Sequence, residues 1–172
     1  MPRRARAAAS SNPSEQRNPL RKDVFLSGIL VDVDGKGASD CTIRDIHPRG
    51  ASIILGKPLR TGAQTILLDR GNRVAHFARV VWSSAGRSGL LFVRSYPMNK
   101  DLPTRLAFLW IFLLEANLLQ AREAVATGVP AGTALASIGL TREHMHQIAR
   151  CARRSRRVQH LLESARLLLG ER

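Results

Sequence analysis

The feature that most restricts the fold of this chain is a series of short β-type segments between residues 24 and 93, separated by groups of turn-forming residues. The separating groups contain Gly, Pro, Asn or Asp, which permit the backbone conformations of tight turns. The predicted strands are residues 24–33, 40–46, 51–55, 65–68, 74–83 and 88–93. Strands and turns that repeat at this spacing predict a small antiparallel β-barrel or sandwich.

The sequence changes character after Pro97. A capping residue and a first-turn proline precede a stretch rich in Leu and Ala, which predicts a long helix over residues 102–127. This helix is apolar on most of its sides, so we expect other elements or a second copy of the chain to cover it. After a break that contains Gly and Pro, residues 133–169 predict two or three shorter basic helices. The predicted organisation is a barrel domain over 17–97 and a helical extension over 98–172.

The first 16 residues are rich in Ala, Ser, Arg and Pro. They lack the apolar side chains needed to offset the entropy of ordering, so we expect a disordered basic tail over 1–16. No apolar stretch that would form a secretory signal follows its arginines, and the most apolar segment, 106–114, is shorter than the about 20 residues of a membrane-spanning helix. Cys41 and Cys151 match no disulfide framework. We therefore expect a cytoplasmic protein with no transmembrane span.

The charge of the chain points to anionic partners. It has 27 Lys and Arg against 13 Asp and Glu, a formal net charge of +14. Nucleic acid, a nucleotide or an anionic membrane would fit this excess, although a basic tail and solvated Arg-rich helices would produce the same total. No nucleotide-hydrolase loop, metalloprotease motif or serine-hydrolase motif occurs in the sequence. We predict no enzyme activity, no catalytic residue, no metal site and no cofactor.

Two short motifs occur at the beginning of the predicted barrel. Arg17 and Arg21 form an R-x-x-x-R pattern, and 24 positions after Arg21 a D-x-H-x-x-G pattern runs from Asp45 to Gly50. Together they resemble the PilZ family, whose signatures are R-x-x-x-R and [D/N]-x-S-x-x-G in this order and at this interval. The resemblance covers residues 17–95. It implies a six-stranded antiparallel barrel that acts as a receptor for the dinucleotide cyclic di-GMP and switches conformation or partner binding when the arginine loop orders on the ligand.

The chemistry of these residues suits such a ligand. The guanidinium forks of Arg17 and Arg21 can donate bidentate hydrogen bonds to guanine or pair with phosphate. The Asp45 carboxylate can accept hydrogen bonds from N1 and N2 of guanine, and Gly50 would let the backbone turn close to the ligand. His47 replaces the Ser of the family pattern: its ring can donate to a phosphate or a guanine acceptor, but it is bulkier. These residues form the predicted cyclic di-GMP site.

Two other functions remain open. The first is a degenerate PilZ-like interaction module that binds no nucleotide and contacts a protein partner, or a second copy of the chain, through the 102–127 helix. The second is a DNA-binding regulator. Residues 134–148 resemble a helix-turn-helix with Gly139 at the turn, which could place residues 141–154 in a major groove.

Overall fold

A computed structural model describes residues 22–99, 101–137, 142–151 and 156–168. The predicted tail over 1–16 and the two arginines of the first motif, Arg17 and Arg21, lie outside the described residues.

Six antiparallel strands form a closed barrel, as the sequence predicts. They pair in the order β1-β2-β3-β6-β5-β4, and antiparallel pairing of β1 with β4 closes the barrel. In this order each described strand pairs with a neighbouring strand on both sides. The strands are β1 Lys22–Asp32, β2 Ala38–His47, β3 Gly50–Ile54, β4 Gln64–Asp69, β5 Val74–Ser84 and β6 Arg87–Pro97.

The barrel interior is filled by alternate apolar side chains of the strands. Because neighbouring residues of a strand point to opposite faces, every second position contributes to this core. We call this cluster the inner core, and its buried members are Leu30, Cys41, Ile43, Ala51, Ile53, Leu55, Leu67, Ala78, Val80 and Leu90.

A second apolar cluster, the outer core, lies on the outside of β1, β4 and β5, where helices cover the barrel. Because their outer faces are covered as well, the middle residues of β1 and β4 are buried on both sides, and the apolar run 66–68 is continuous and not alternating. The barrel residues of the outer core are Ile29, Val31, Ile66, Leu68 and Ala75.

The helical extension begins with a 3₁₀ turn at Thr104–Leu106, followed by α1 Leu109–Ala126, α2 Ala131–Ser137, α3 Arg142–Cys151 and α4 Arg156–Leu168. The structure therefore corrects the start of the helix predicted over 102–127. Pro103 is extended, with φ −53° and ψ 135°, and the chain forms a 3₁₀ turn before the α-helix starts. Proline also disfavours helical conformation in the residue before it, so a helix cannot run smoothly through Leu102.

The apolar sides of α1 are covered by two layers. Leu109, Trp110 and Leu113 belong to the outer core together with the barrel residues, while α2 and α4 also pack on α1. Leu119 of the same helix is exposed, and a partner or homodimer contact through this helix stays a prediction. Among the described helices, none has the length and apolarity to cross a membrane.

Candidate functional site

The second motif forms the tight hairpin between β2 and β3. His47 pairs with Gly50, and Pro48 and Arg49 form the turn between them. The backbone N–H of Arg49 donates to Nδ1 of His47 at 3.2 Å, and the Arg49 carbonyl accepts from the N–H of Phe92 in β6 at 2.9 Å. Since Nδ1 accepts a hydrogen bond, the neutral ring carries its proton on Nε2, which leaves a donor for another group.

Gly50 is required by the packing of the barrel itself. A Cβ atom at this position would overlap the carbonyl oxygen of Leu90 in the neighbouring strand β6. The missing side chain therefore lets β3 and β6 approach each other, which is a sufficient physical reason for glycine. The predicted contribution of Gly50 to ligand binding stays a prediction.

A β-bulge on β2 lies shortly before the hairpin. The pairing of β2 with β3 changes register between Ile43 and Asp45, so that Arg44 has no direct partner across the strands. The Arg44 guanidinium lies over the ring of Phe25 in β1, 4.5 Å from the ring centroid. Phe25 is 72% exposed, so this cation–π pair lies at the surface beside Asp45.

Four residues form a row across the outer face of the barrel, which we call the outer row. Asp45 pairs with Ser52, Ser52 with Gly89, and Gly89 with Trp82, so the row crosses β2, β3, β6 and β5. Ala51, Ile53 and Leu90, which precede or follow these residues, belong to the inner core. The outer row must therefore lie on the opposite, outward face.

Trp82 covers one end of the outer row. A Cβ atom on Gly89 would overlap the indole ring of Trp82, so the ring lies directly across the glycine backbone. A second bulge, at Val81, shifts the register of β5 against β6 and places both Val81 and Trp82 outside the barrel. Trp82 is 42% exposed, so it offers an aromatic surface to a ligand.

Ser52 lies in the middle of the outer row and is only 4% exposed. Its hydroxyl oxygen is buried and has no hydrogen-bond partner among the described residues. Buried polar groups are nearly always paired, so such a hydroxyl has unused capacity to donate and accept. The neighbouring Asp45 side chain is also buried, at 8% exposed.

The structure brings Asp45, His47 and Gly50 together on one hairpin, whereas Arg17 and Arg21 lie outside the described residues. The first described residue, Lys22, pairs with Ile46, and Asp23 pairs with Asp45. The chain therefore enters the barrel directly beside the second motif. The first-motif segment, residues 17–21, directly precedes Lys22 in the sequence.

Sequence reasoning missed three parts of this site: Ser52, Trp82 and the Phe25–Arg44 pair. Two of them carry a signal in the sequence. Counting back from the Pro48-Arg49 turn pairs Ser52 with Asp45, and counting back from the turn at Ala85 and Gly86 pairs Trp82 with Gly89. The Phe25–Arg44 contact depends on bulges, which the sequence does not show.

Two titratable side chains of the barrel have pKa values shifted by burial. Burial raises the pKa of the Cys41 thiol to about 12, so it is protonated at neutral pH. Burial lowers the pKa of His76, which stacks on Phe92 with 4.1 Å between ring centroids. Within the described part of the chain, no group of three or more His, Cys, Asp or Glu side chains could hold a metal ion.

Comparison with known proteins gives limited similarity. No protein-family model matches the chain. No curated protein matches it either. Among solved structures, it is similar to the crystal structure of the PilZ domain of CeSA from a cellulose-synthesizing bacterium, with 15% sequence identity and a TM-score of 0.38. The alignment covers 43% of this chain and 80% of that one. The strand order and register described above define the fold independently of this similarity.

Proposed function

We propose that this chain is a PilZ-like receptor or adaptor that binds cyclic di-GMP on the outer row. One observation carries the proposal: the row joins a carboxylate, a buried hydroxyl with no partner among the described residues and an exposed indole, and Asp45 of the row lies beside the start of β1 at Lys22. These groups match the chemistry of a compact anion with two guanines and two phosphates.

Two side chains of the outer row, and His47 beside it, have complementary groups on the ligand. The Trp82 ring would stack on one guanine, since a base stacked on an aromatic side chain contributes about 1–3 kcal/mol. The Asp45 carboxylate would accept hydrogen bonds from N1 and N2 of guanine, which are both donors. The Nε2–H of His47 would donate to a phosphate oxygen.

Ser52 can supply the hydroxyl that the second motif lacks at His47, where the family pattern has serine. The family places a serine where this chain has His47, yet Ser52 supplies a hydroxyl from the neighbouring strand, directly opposite Asp45. Its buried oxygen would gain the partner that the described residues do not provide. The replacement of serine by histidine is therefore compatible with a hydroxyl in the site.

Arg17 and Arg21 would complete the site. Their segment precedes Lys22, which pairs with Ile46 next to Asp45. Two guanidinium forks at this position would pair with phosphate or with O6 and N7 of guanine. Ordering of the segment on the ligand would then change the surface that the chain presents to a partner.

Calorimetry and fluorescence with cyclic di-GMP test the proposal. In Trp110→Phe, Trp82 is the single tryptophan, and we expect its emission to change on ligand binding. Arg21→Ala should weaken binding about tenfold or more, because hydrogen bonds to charged groups contribute about 1.5–3 kcal/mol. Arg60→Ala, in the exposed loop before β4, is the control and should bind as the wild type does. No heat and no change in Trp82 emission at micromolar ligand would contradict the receptor function.

A second candidate function is an interaction module that binds no nucleotide. Val81 and Val93 lie on the same outer face as Trp82, and Val93 is 75% exposed, so the face is also suited to an apolar protein surface. The variant His47→Ser separates the two functions. Binding of cyclic di-GMP by His47→Ser but not by the wild type would favour the interaction module.

A further inference from the structure

The C-terminal helices α3 and α4 form an open groove that the proposed cyclic di-GMP site does not use. The groove has a volume of about 630 Å³. Its lining residues are His146, Ala149, Arg150 and Gln159. It is far larger than a single small anion requires.

The exposed faces of both helices carry basic residues at helical spacing. His146 and Arg150 are four residues apart on α3, and both line the groove. Arg156 lies three residues before the lining residue Gln159, so it is on the same side of α4. The side chains of His146, Arg150 and Arg156 are exposed. The groove is therefore flanked by basic groups from two elements.

The arginines at the groove have no acidic partner among the described side chains. Arg157 pairs with Glu115 of α1, and Arg166 pairs with Glu163, but no described carboxylate lies within 4.0 Å of Arg150 or Arg156. The sequence agrees, since residues 142–172 contain eight Arg and three Glu. No described carboxylate therefore neutralises the charge of Arg150 or Arg156.

The apolar faces of these helices are already used. They pack into the outer core, which makes membrane insertion through the same helices unfavourable, because a membrane-surface helix needs an exposed apolar face. The buried apolar residues are Met145 and Ile148 of α3, and Val158, Leu162 and Ala165 of α4. Leu167 of α4 is exposed, but a partner that contacts α3 and α4 from outside meets mainly polar and basic groups.

We propose that the α3–α4 groove binds the phosphate backbone of nucleic acid, with Arg150 and Arg156 as phosphate contacts. An open groove flanked by basic side chains that have no acidic partner among the described residues fits an extended polyanion, and arginine pairs with phosphate through its guanidinium fork. Such contacts position a duplex without reading its sequence. The inference is independent of cyclic di-GMP binding, and the two can fail separately.

Fluorescence anisotropy with the full chain and a labelled duplex DNA of about 25 base pairs tests this, with salt varied from about 50 to about 200 mM. We expect wild-type affinity to fall steeply with salt. Arg150→Gln and Arg156→Gln should each reduce the slope of log affinity against log salt by about 1, and the double variant by about 2. Arg60→Gln removes the same charge from an exposed barrel loop and should leave the slope unchanged. Both groove arginines are exposed, and far-UV circular dichroism verifies that the variants stay folded.

Three results would overturn the inference. The first is no DNA binding at low salt. The second is a salt slope in the double variant that equals that of the wild type. A reduction of the slope in Arg60→Gln as large as in the single groove variants counts against the inference as well, because total charge and not the groove would then determine DNA binding. The third is binding to vesicles containing phosphatidylserine in the absence of DNA binding, which would identify an anionic membrane surface as the partner.

Discussion

At the scale of single residues, Gly50 shows that a motif position can require a glycine for packing, which the motif alone does not reveal. A methyl group at Gly50 would overlap the Leu90 carbonyl, and backbone of two paired strands cannot move aside easily. We expect Gly50→Ala to lower the free energy of unfolding by about 1–3 kcal/mol, the usual cost of overpacking. Gly56→Ala is the matched control, because a Cβ at Gly56 meets no atom within 4 Å. Urea denaturation measures both, and equal stabilities of the two variants would contradict this packing argument.

The candidate site was predictable residue by residue only where local spacing determines it. The turn at Pro48 and Arg49 fixes the hairpin, so Asp45, His47 and Gly50 could be placed together from the sequence. The pairing of Ser52 with Gly89, which joins the two halves of the outer row, links strands β3 and β6. No turn connects these strands directly, so their neighbourhood follows from closure of the whole barrel and cannot be counted from the sequence.

At the scale of elements, Arg70 connects the barrel to α1. It follows the end of β4, and its guanidinium donates to Asn117 at 3.0 and 3.3 Å, to Gln120 at 2.8 Å and to Ser27 of β1 at 3.0 Å. A lysine has one nitrogen and cannot reach three partners that lie in these directions. We expect Arg70→Lys to lower the free energy of unfolding by about 1–3 kcal/mol.

Amide hydrogen exchange of α1 is the sharper measurement for this connection. Loss of the Arg70 contacts should increase exchange in α1 around Asn117, because fewer bonds then hold the helix to β1. Arg79→Lys, an exposed arginine on β5, makes the same chemical change and should leave α1 exchange as in the wild type. Exchange that rises equally in both variants would show that Arg70 does not hold the helix.

The elements differ in how far the sequence predicts them. The six strands follow from short β-type segments and the turn residues between them, which act locally, and the closed barrel confirms them. Because α1 is apolar on most of its sides, the sequence indicated that the helix is buried on most sides. It did not indicate which elements cover the helix. The barrel covers one side and α2 and α4 another, and this arrangement depends on contacts between residues distant in sequence. The helix start differed from the prediction because Pro103 is extended and a 3₁₀ turn comes first.

At the scale of the whole molecule, the two cores are built from different elements. The inner core belongs to the barrel alone, but the outer core combines strand residues such as Ile29 and Ile66 with helix residues such as Leu109. Removing the helices would expose the apolar outer face of β1 and β4 to water, which costs about 25 cal/mol per Å² of apolar surface. The barrel and the helices therefore stabilise each other, although the sequence divides them into separate regions at Pro97.

The two tryptophans of the chain allow this coupling to be measured directly, since Trp82 lies on the barrel and Trp110 lies in α1. Trp110→Phe leaves a fluorescent probe of the barrel, and Trp82→Phe leaves a probe of the helical layer. Because the outer core is shared, we expect the barrel and the helical layer to unfold together in urea. Each single-tryptophan variant should give a fluorescence midpoint that coincides with its own midpoint by far-UV circular dichroism, as a two-state transition requires. A helical probe that changes at lower urea than the circular dichroism of the same variant would mean that the helices detach while the barrel stays folded, and the inner core alone would then be sufficient to hold the barrel.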